Sequence, residues 1–335
     1  MGKKAFVTGG TGFVGSHLVD ELLRRDYEEV RCLVRKDPKW LAGKDVQFVS
    51  GDLNHENVLK AALRDVTHVF HVAALTRARD GKTLLRTNVE GTIHLLRAIR
   101  TSGARLQRVV ITSSLSVVGS VDDRIATEET PLNPVSVYGK SKALMESRLR
   151  EKDSDGRAFT DALPITVIRP PSVYGPREKD IFTFFRTANR GVCPVIGGNG
   201  SGPISLVYVE DLVRGMIDAA ESPETVGETY FLGPEDVSSW EQVREATSSA
   251  LGRKIITISV PPGLVRLAGV TAEATMGMFG IYPPLNREKA REIVEACKAC
   301  SSKKAKREFG YRAGVSLEEG ISRTIHWYRQ EGWLS

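Results

Sequence analysis

A chain of 335 residues, 41% hydrophobic and 26% charged, has the makings of one large folded domain or two intimate ones with an ample core. No apolar run reaches the ~20 residues of a membrane helix, and four cysteines are too few for a disulfide scaffold. Met1-Gly2-Lys3-Lys4 leads into glycine-rich sequence rather than a continuous apolar segment, so a cytoplasmic protein with no membrane partner is expected. The net charge of +6 suits anionic ligands. No nucleic-acid motif accompanies the basic cluster Lys303, Lys304, Lys306 and Arg307, which reads as a solvated helix face.

Lys4-Ala5-Phe6-Val7 reads as a buried parallel strand and 16–23 as an amphipathic helix, with Thr8-Gly9-Gly10-Thr11-Gly12-Phe13-Val14-Gly15 between them. Glycines 10, 12 and 15 make a G-x-G-x-x-G spacing. The first is expected to permit the tight turn, the second to let a pyrophosphate approach, and the third to let helix and strand pack closely. Phosphates then sit on free N–H groups at the positive end of the helix dipole. Further strand-like runs at 30–34, 46–49, 68–72, 108–112 and 165–168 are short, β-branched and apolar on both faces, as in a helix-covered parallel sheet. The intervening helices lie at roughly 55–64, 82–102 and 137–152.

After Arg169-Pro170-Pro171 the character changes. Residues 176–205 are rich in Gly and Pro around a helix-like piece at 181–188. A strand–helix unit follows (205–209, 211–220), then a strand at 228–232 that is expected to rejoin the sheet, and 236–335 reads as a mostly helical lobe. The expected fold is α/β: a Rossmann-type doubly wound parallel sheet with a smaller, mostly helical C-terminal substrate lobe. Residues 1–175, with 205–232, make the dinucleotide-binding domain; 176–204 and 233–335 make the lobe that closes over the carboxyl ends of the strands.

Tyr138 and Lys142 stand four residues apart at the start of a predicted helix, hence on one face. A lysine cation near a phenol lowers its pKa from about 10, letting Tyr138 exchange a proton with a substrate hydroxyl or carbonyl. Thr112-Ser113-Ser114 ends the strand at 108–112, where a hydroxyl can bond the same oxygen. Cys297 and Cys300 form a C-x-x-C with no second pair at zinc spacing, in sequence that reads as helix. Two ordinary thiols and no metal site are expected.

These segments, in this order, resemble the extended short-chain dehydrogenase/reductases, the epimerase/dehydratase superfamily. The resemblance runs through TGGTGFVG at 8–15, GDL at 51–53, HVAA at 71–74, TNVEGT at 87–92, TSS at 112–114, YGKSK at 138–142, RPPSVYGP at 169–176 and YVEDLV at 208–213. It implies Tyr138 as the acid/base, Lys142 as the group that lowers its pKa and holds the nicotinamide ribose, and Ser114 as the hydroxyl that orients the substrate. Ser114 is preferred to Ser113 because it lies five residues before Gly119, as in the family's S-x-x-x-x-G pattern. It further implies a cofactor held by Gly9, Gly10, Thr11, Gly12, Phe13, Val14 and Gly15, with Asp52 on the adenine amino group and Leu53 beside the ring. Ala73 and Ala74 are the strand-four contacts, Asn88 steadies the helix behind the site, and Pro170 and Val173 line the nicotinamide pocket.

Rossmann sites for NAD usually end their second strand in an acid. Here Val34 is followed by Arg35 and Lys36, which suit a 2′-phosphate, so NADP is favoured with NAD possible. Members acting on nucleotide sugars typically carry an Arg-Asp pair before the segment corresponding to Tyr208-Val209-Glu210-Asp211; this chain has Ile204-Ser205 there. That places it nearer the branch resembling dihydroflavonol reductases and 3β-hydroxysteroid dehydrogenases. A reductase or dehydrogenase acting on a small molecule is expected. The alternatives are an epimerase or dehydratase that retains its cofactor, and a non-catalytic NADP-binding sensor or scaffold. Phe182, Phe184, Phe185, Met276, Met278 and Phe279 either line an apolar pocket or form lobe core. Leu84, Leu85, Ile93, Leu95, Leu96, Ile99, Leu144, Met145 and Leu149 exceed one apolar stripe, so a homodimer through helices 82–102 and 137–152 is also expected.

Overall fold

Seven short strands pair side by side, every pair parallel: Lys3–Thr8 (β1), Tyr27–Val34 (β2), Gln47–Ser50 (β3), His68–His71 (β4), Arg108–Thr112 (β5), Ile165–Arg169 (β6) and Thr229–Phe231 (β7). Their order across the sheet is β7-β6-β5-β4-β1-β2-β3, in a computed structural model that describes residues 2–120, 125–153, 156–196, 202–279, 283 and 285–334. Successive side chains on a strand point to opposite faces. Accordingly Ala5 and Val7 enter one apolar cluster and Phe6 the other; Val110 and its neighbours Val109 and Ile111 divide likewise. Both clusters are closed by helices, which is why these strands are apolar throughout. Phe13–Arg24 (α1) and Val209–Glu221 (α5) cover one face; Glu56–Ala62 (α2), Gly91–Ser102 (α3) and Val137–Arg150 (α4) cover the other.

The C-terminal part carries helices Pro262–Met278 (α6) and Arg287–Glu295 (α7), besides those at Trp240–Leu251, Lys303–Phe309 and Leu317–Gln330. Its core is aromatic: Phe182 meets Tyr328 and Trp333 edge-on, and Tyr328 stacks on Trp333.

Three local expectations are corrected, and one strand is added. The helix expected over 82–102 is broken by a π-helical turn at Arg86–Glu90, where Asn88 turns inward and bonds outside its own helix. The Cys297–Cys300 segment is not helical: α7 ends at Glu295, and Ala299–Cys300 pairs with Ile125–Ala126. Strand Ile256–Val260, paired with Val192–Ile196, has no counterpart in the sequence reading. The apolar surplus assigned to a dimer face is mostly internal. Leu84, Leu95, Leu96, Ile99, Met145 and Leu149 are buried within the chain, leaving Leu85 and Leu144 exposed. The basic cluster on helix Lys303–Phe309 is held by acids, with Lys304 on Glu228 at 2.6 Å, Lys306 on Glu235, and Arg307 on Glu308.

Candidate active site

The site begins where β1 runs out at Thr8. Gly9 makes the turn at φ +78°, and a Cβ there would lie 2.5 Å from the Ala73 amide nitrogen. The tight turn therefore belongs to Gly9 and not to Gly10, which instead lies beside the Leu41 side chain. A Cβ on Gly15 would come within 2.1 Å of the Gly9 carbonyl oxygen, so α1 packs onto the turn only without a side chain there. Gly12 caps α1 with no side-chain acceptor, and the first turn holds no acid. Its amide donors and positive dipole end therefore stay uncompensated beside the cavity, and this cradle fits a pyrophosphate.

One cavity of about 1210 Å³ runs from this cradle to the C-terminal lobe. Of the residues singled out for the cofactor, Gly9, Thr11, Gly12, Phe13, Val14, Gly15, Arg35, Asp52, Leu53, Ala73, Ala74, Pro170 and Val173 line it, whereas Gly10 and Lys36 do not. The second cation at this end is Lys39, brought round by a left-handed backbone at φ +50°. Asp52 accepts the Asn54 N–H at 2.8 Å, holding the turn before α2 while still facing the cavity.

Ser114, Tyr138 and Lys142 meet in the middle of the same cavity. Ser136 caps α4 by accepting the Gly139 N–H at 3.0 Å, which starts the helix just ahead of Tyr138. Lys142 is buried, and its Nζ donates to the Thr112 carbonyl at 2.7 Å. Burial lowers its ammonium from 10.5 to about 8, opposed by the Glu146 charge. The Tyr138 phenol is pushed up to about 12, first by burial; a hydrogen bond with Ser114 pulls it down and the Glu292 carboxylate pushes it up. The expected lowering of Tyr138 by Lys142 is thus absent in the free chain, because the ammonium is committed to the end of β5. Thr112 Oγ1 is buried beside them without a partner.

Behind these residues stands a buried ionic cluster. Glu146 accepts from Arg169 through Nε at 3.0 Å and Nη2 at 2.6 Å, and from Ser113 Oγ at 2.6 Å. Ser113 thereby turns its hydroxyl away from the cavity centre, and Ser114 is the one that reaches Tyr138. Asn88 accepts the Leu75 N–H at 2.8 Å and donates to the Leu75 carbonyl and to Ser141 Oγ, both at 2.9 Å. It therefore ties the loop after β4 to α4.

The lobe supplies the far wall through Ile181, Phe184, Ile204, Trp240 and Ile293, with Leu206 beside them. Of the six residues weighed for an apolar pocket, Phe184 and Phe185 line the cavity and Phe182 is aromatic core. Met276, Met278 and Phe279 are not in the lining, and the last two are solvent-exposed. Glu292, which accepts from Ser116 Oγ at 3.2 Å and pairs with Lys289 at 3.3 Å, escaped the sequence reading. Its only signal was a place on one charged helix far from every motif. Cys32, Cys193 and Cys300 are buried, and among the described residues no cluster of three or more His, Cys, Asp or Glu is positioned to hold a metal ion.

Residues 5–233 match the model of the NAD dependent epimerase/dehydratase family. The chain is 28% identical over 331 residues to ceramide reductase of Caulobacter vibrioides, covering 98% of this chain and 95% of that one. It is 29% identical over 336 residues to sterol-4-alpha-carboxylate 3-dehydrogenase, decarboxylating, of Mus musculus, covering 96% and 90%. The dTDP-glucose 4,6-dehydratase DesIV of Streptomyces venezuelae, solved with NAD bound, superposes with a TM-score of 0.75 at 26% identity over 99% of each chain. With the family model matching more than half its length, this chain belongs to the NAD-dependent epimerase/dehydratase family and is an enzyme of the extended short-chain dehydrogenase/reductase type.

Proposed function

We propose that the enzyme moves a hydride between a nicotinamide cofactor, preferably NADP, and a carbonyl or alcohol on a bulky apolar substrate. The observation that carries this reading is the far wall of the cavity. Ile204 is buried and lines it, at the position where relatives acting on nucleotide sugars typically place a diphosphate-binding Arg. Ser205 beside it is fully buried and accepts the Cys300 N–H at 3.1 Å. A nucleotide diphosphate would find no guanidinium there. The ceramide and sterol enzymes among the relatives support the same substrate class. The lobe formed by 176–204 and 233–335 is the substrate-binding part.

In this reading the Gly9–Gly15 cradle and the N-terminus of α1 hold the pyrophosphate. Asp52 and Leu53 hold the adenine end, and Arg35 and Lys39 supply the charge that favours a 2′-phosphate. When bound, the dinucleotide supplies or takes the hydride. Ser114 fixes the substrate oxygen, and Tyr138, protonated at neutral pH because its phenol is pushed up to about 12, gives its proton to that oxygen during reduction. Lys142 takes the ribose and adds positive charge beside the developing alkoxide.

The test follows NADPH absorbance with hydrophobic ketones and aldehydes alongside sugar nucleotides. Net consumption with the former is expected. Tyr138→Phe should cut turnover about 10²–10⁴-fold with cofactor binding kept. Conversion of sugar nucleotides alone, without net NADPH consumption, would replace this reading by the epimerase or dehydratase one.

A further inference from the structure

Helix α6 has its apolar side facing outward. At about 100° per residue, Val265, Gly269, Ala272 and Met276 form one stripe. Val265 and Gly269 are buried and the other two half-buried. This stripe seats α6 on α7: a Cβ at Gly269 would lie 2.7 Å from that of Ala290. Leu267, Ala274 and Met278 occupy the opposite side, with Leu264 and Val270 flanking. Leu264 and Leu267 are 55% and 57% exposed, and Met278 and the following Phe279 are 83% and 79% exposed. The only charged residues of α6 are turned to its flank. Arg266 pairs with Glu295 at 3.0 Å, and Glu273 accepts the Arg287 N–H at 3.0 Å. The outer side is therefore uncharged. In the strand just before α6, Ile256 and Ile258 share one face and are also exposed.

We propose that this surface rests on an anionic lipid bilayer, with α6 lying in the interface and Leu264, Leu267, Met278 and Phe279 in its apolar layer. The charge around it decides for lipid over a second copy of this chain. Segment 252–279 carries Arg253 and Lys254 besides Arg266, which Glu295 neutralises, against the single acid Glu273, on a chain of net charge +6. A basic chain carrying an uncharged apolar stripe has the two signals that stable surface binding needs. Two positive copies would repel across the same contact. The proposal differs from a transmembrane anchor, since among the described residues no helix is long and apolar enough to cross a membrane. The surface also backs onto the active site. The side of α7 that carries Lys289, Glu292 and Ile293 lines the cavity, and its Ala290 lies under Gly269.

The experiment is vesicle co-sedimentation of the full chain at low salt, with phosphatidylcholine alone or mixed equally with phosphatidylglycerol. It uses no turnover, so its outcome is independent of the substrate reading. The wild type should pellet with the mixed vesicles and far less with the neutral ones. Leu267→Glu and, separately, Met278→Glu should weaken binding at least about tenfold, as expected for losing one buried apolar side chain. Both replace exposed side chains, so unfolding midpoints should stay at wild type. Wild-type protein left in the supernatant overturns the proposal, as does pelleting that neither substitution reduces. A dimer in sedimentation equilibrium that Leu267→Glu splits also overturns it, because the stripe would then cover a second copy.

Discussion

Replacing Glu146 by Gln tests the ionic cluster behind the catalytic helix. Gln keeps the volume and an acceptor for Ser113 but removes the charge that Arg169 grips with Nε and Nη2. Glu146 is fully buried and Arg169 is 4% exposed, so water cannot take the place of the lost carboxylate. The Arg169 guanidinium already leaves Nη1 without a partner, and the Lys142 ammonium is a second buried cation close by. Breaking such a pair from one side costs about 3–5 kcal/mol. That is a large part of the roughly 5–15 kcal/mol that holds an ordinary domain folded. Urea unfolding followed by tryptophan fluorescence should show it, and Glu146→Leu with Arg169→Met should recover part of it, because the guanidinium is then no longer buried without its carboxylate. A second readout is electrostatic. The Glu146 charge holds the Lys142 pKa up, so in Glu146→Gln the ammonium should lose its proton below about 8, and the basic limb of the pH–rate profile should move to lower pH. A variant with wild-type stability and an unmoved basic limb would refute the argument.

Arg35→Asp should weaken NADPH by about 1.5–3 kcal/mol, the size of one hydrogen bond to a charged group, and narrow or reverse the preference over NADH. Titration showing that the wild type binds NADH as tightly as NADPH would remove the basis for it. Burial lowers His17 and His68 from 6.5 to about 4, and His71, held between Thr8 and Thr92, to about 3. The unfolded chain therefore takes up these protons first. The stability they contribute is complete above pH 6.5 and falls as pH drops from there towards 4, by about 1.4 kcal/mol per pH unit for each. Urea midpoints across that interval should decline, and less steeply in His71→Gln; a flat profile would contradict the burial argument. With only Leu85 and Leu144 left exposed of the proposed pairing residues, a dimer through 82–102 and 137–152 would rest on a small apolar contact. Sedimentation at micromolar concentration should give twice the single-chain mass, and Leu144→Glu should halve it; a monomeric wild type rules the dimer out.

The sheet was legible because both of its faces are covered. That leaves β1, β5 and β6 apolar without alternation, and a short, β-branched apolar run bounded by turn residues has few other readings. The cradle was legible for a similarly local reason: turn, cap and close packing all lie within 9–15. Even so, only the backbone path shows that Gly9 rather than Gly10 bends the chain, since adjacent glycines look alike in a sequence. Ser114, Tyr138 and Lys142 stood out by spacing on a strand end and one helix face.

Their electrostatics did not. Whether Lys142 lowers the Tyr138 phenol depends on where its ammonium points, and the Thr112 carbonyl claims it. Glu292 arrives on α7 beside Ser116, a pairing that no local pattern encodes. The same holds for the outward side of α6: its sequence is as apolar as a core helix, and only the packing of its Gly269 stripe on α7 decides which residues are left to solvent. What the sequence determined by itself is what neighbours within a turn or a strand impose on one another. Tertiary structure alone decided which distant groups share a low-dielectric space, because burial and field depend on every element that closes around a site.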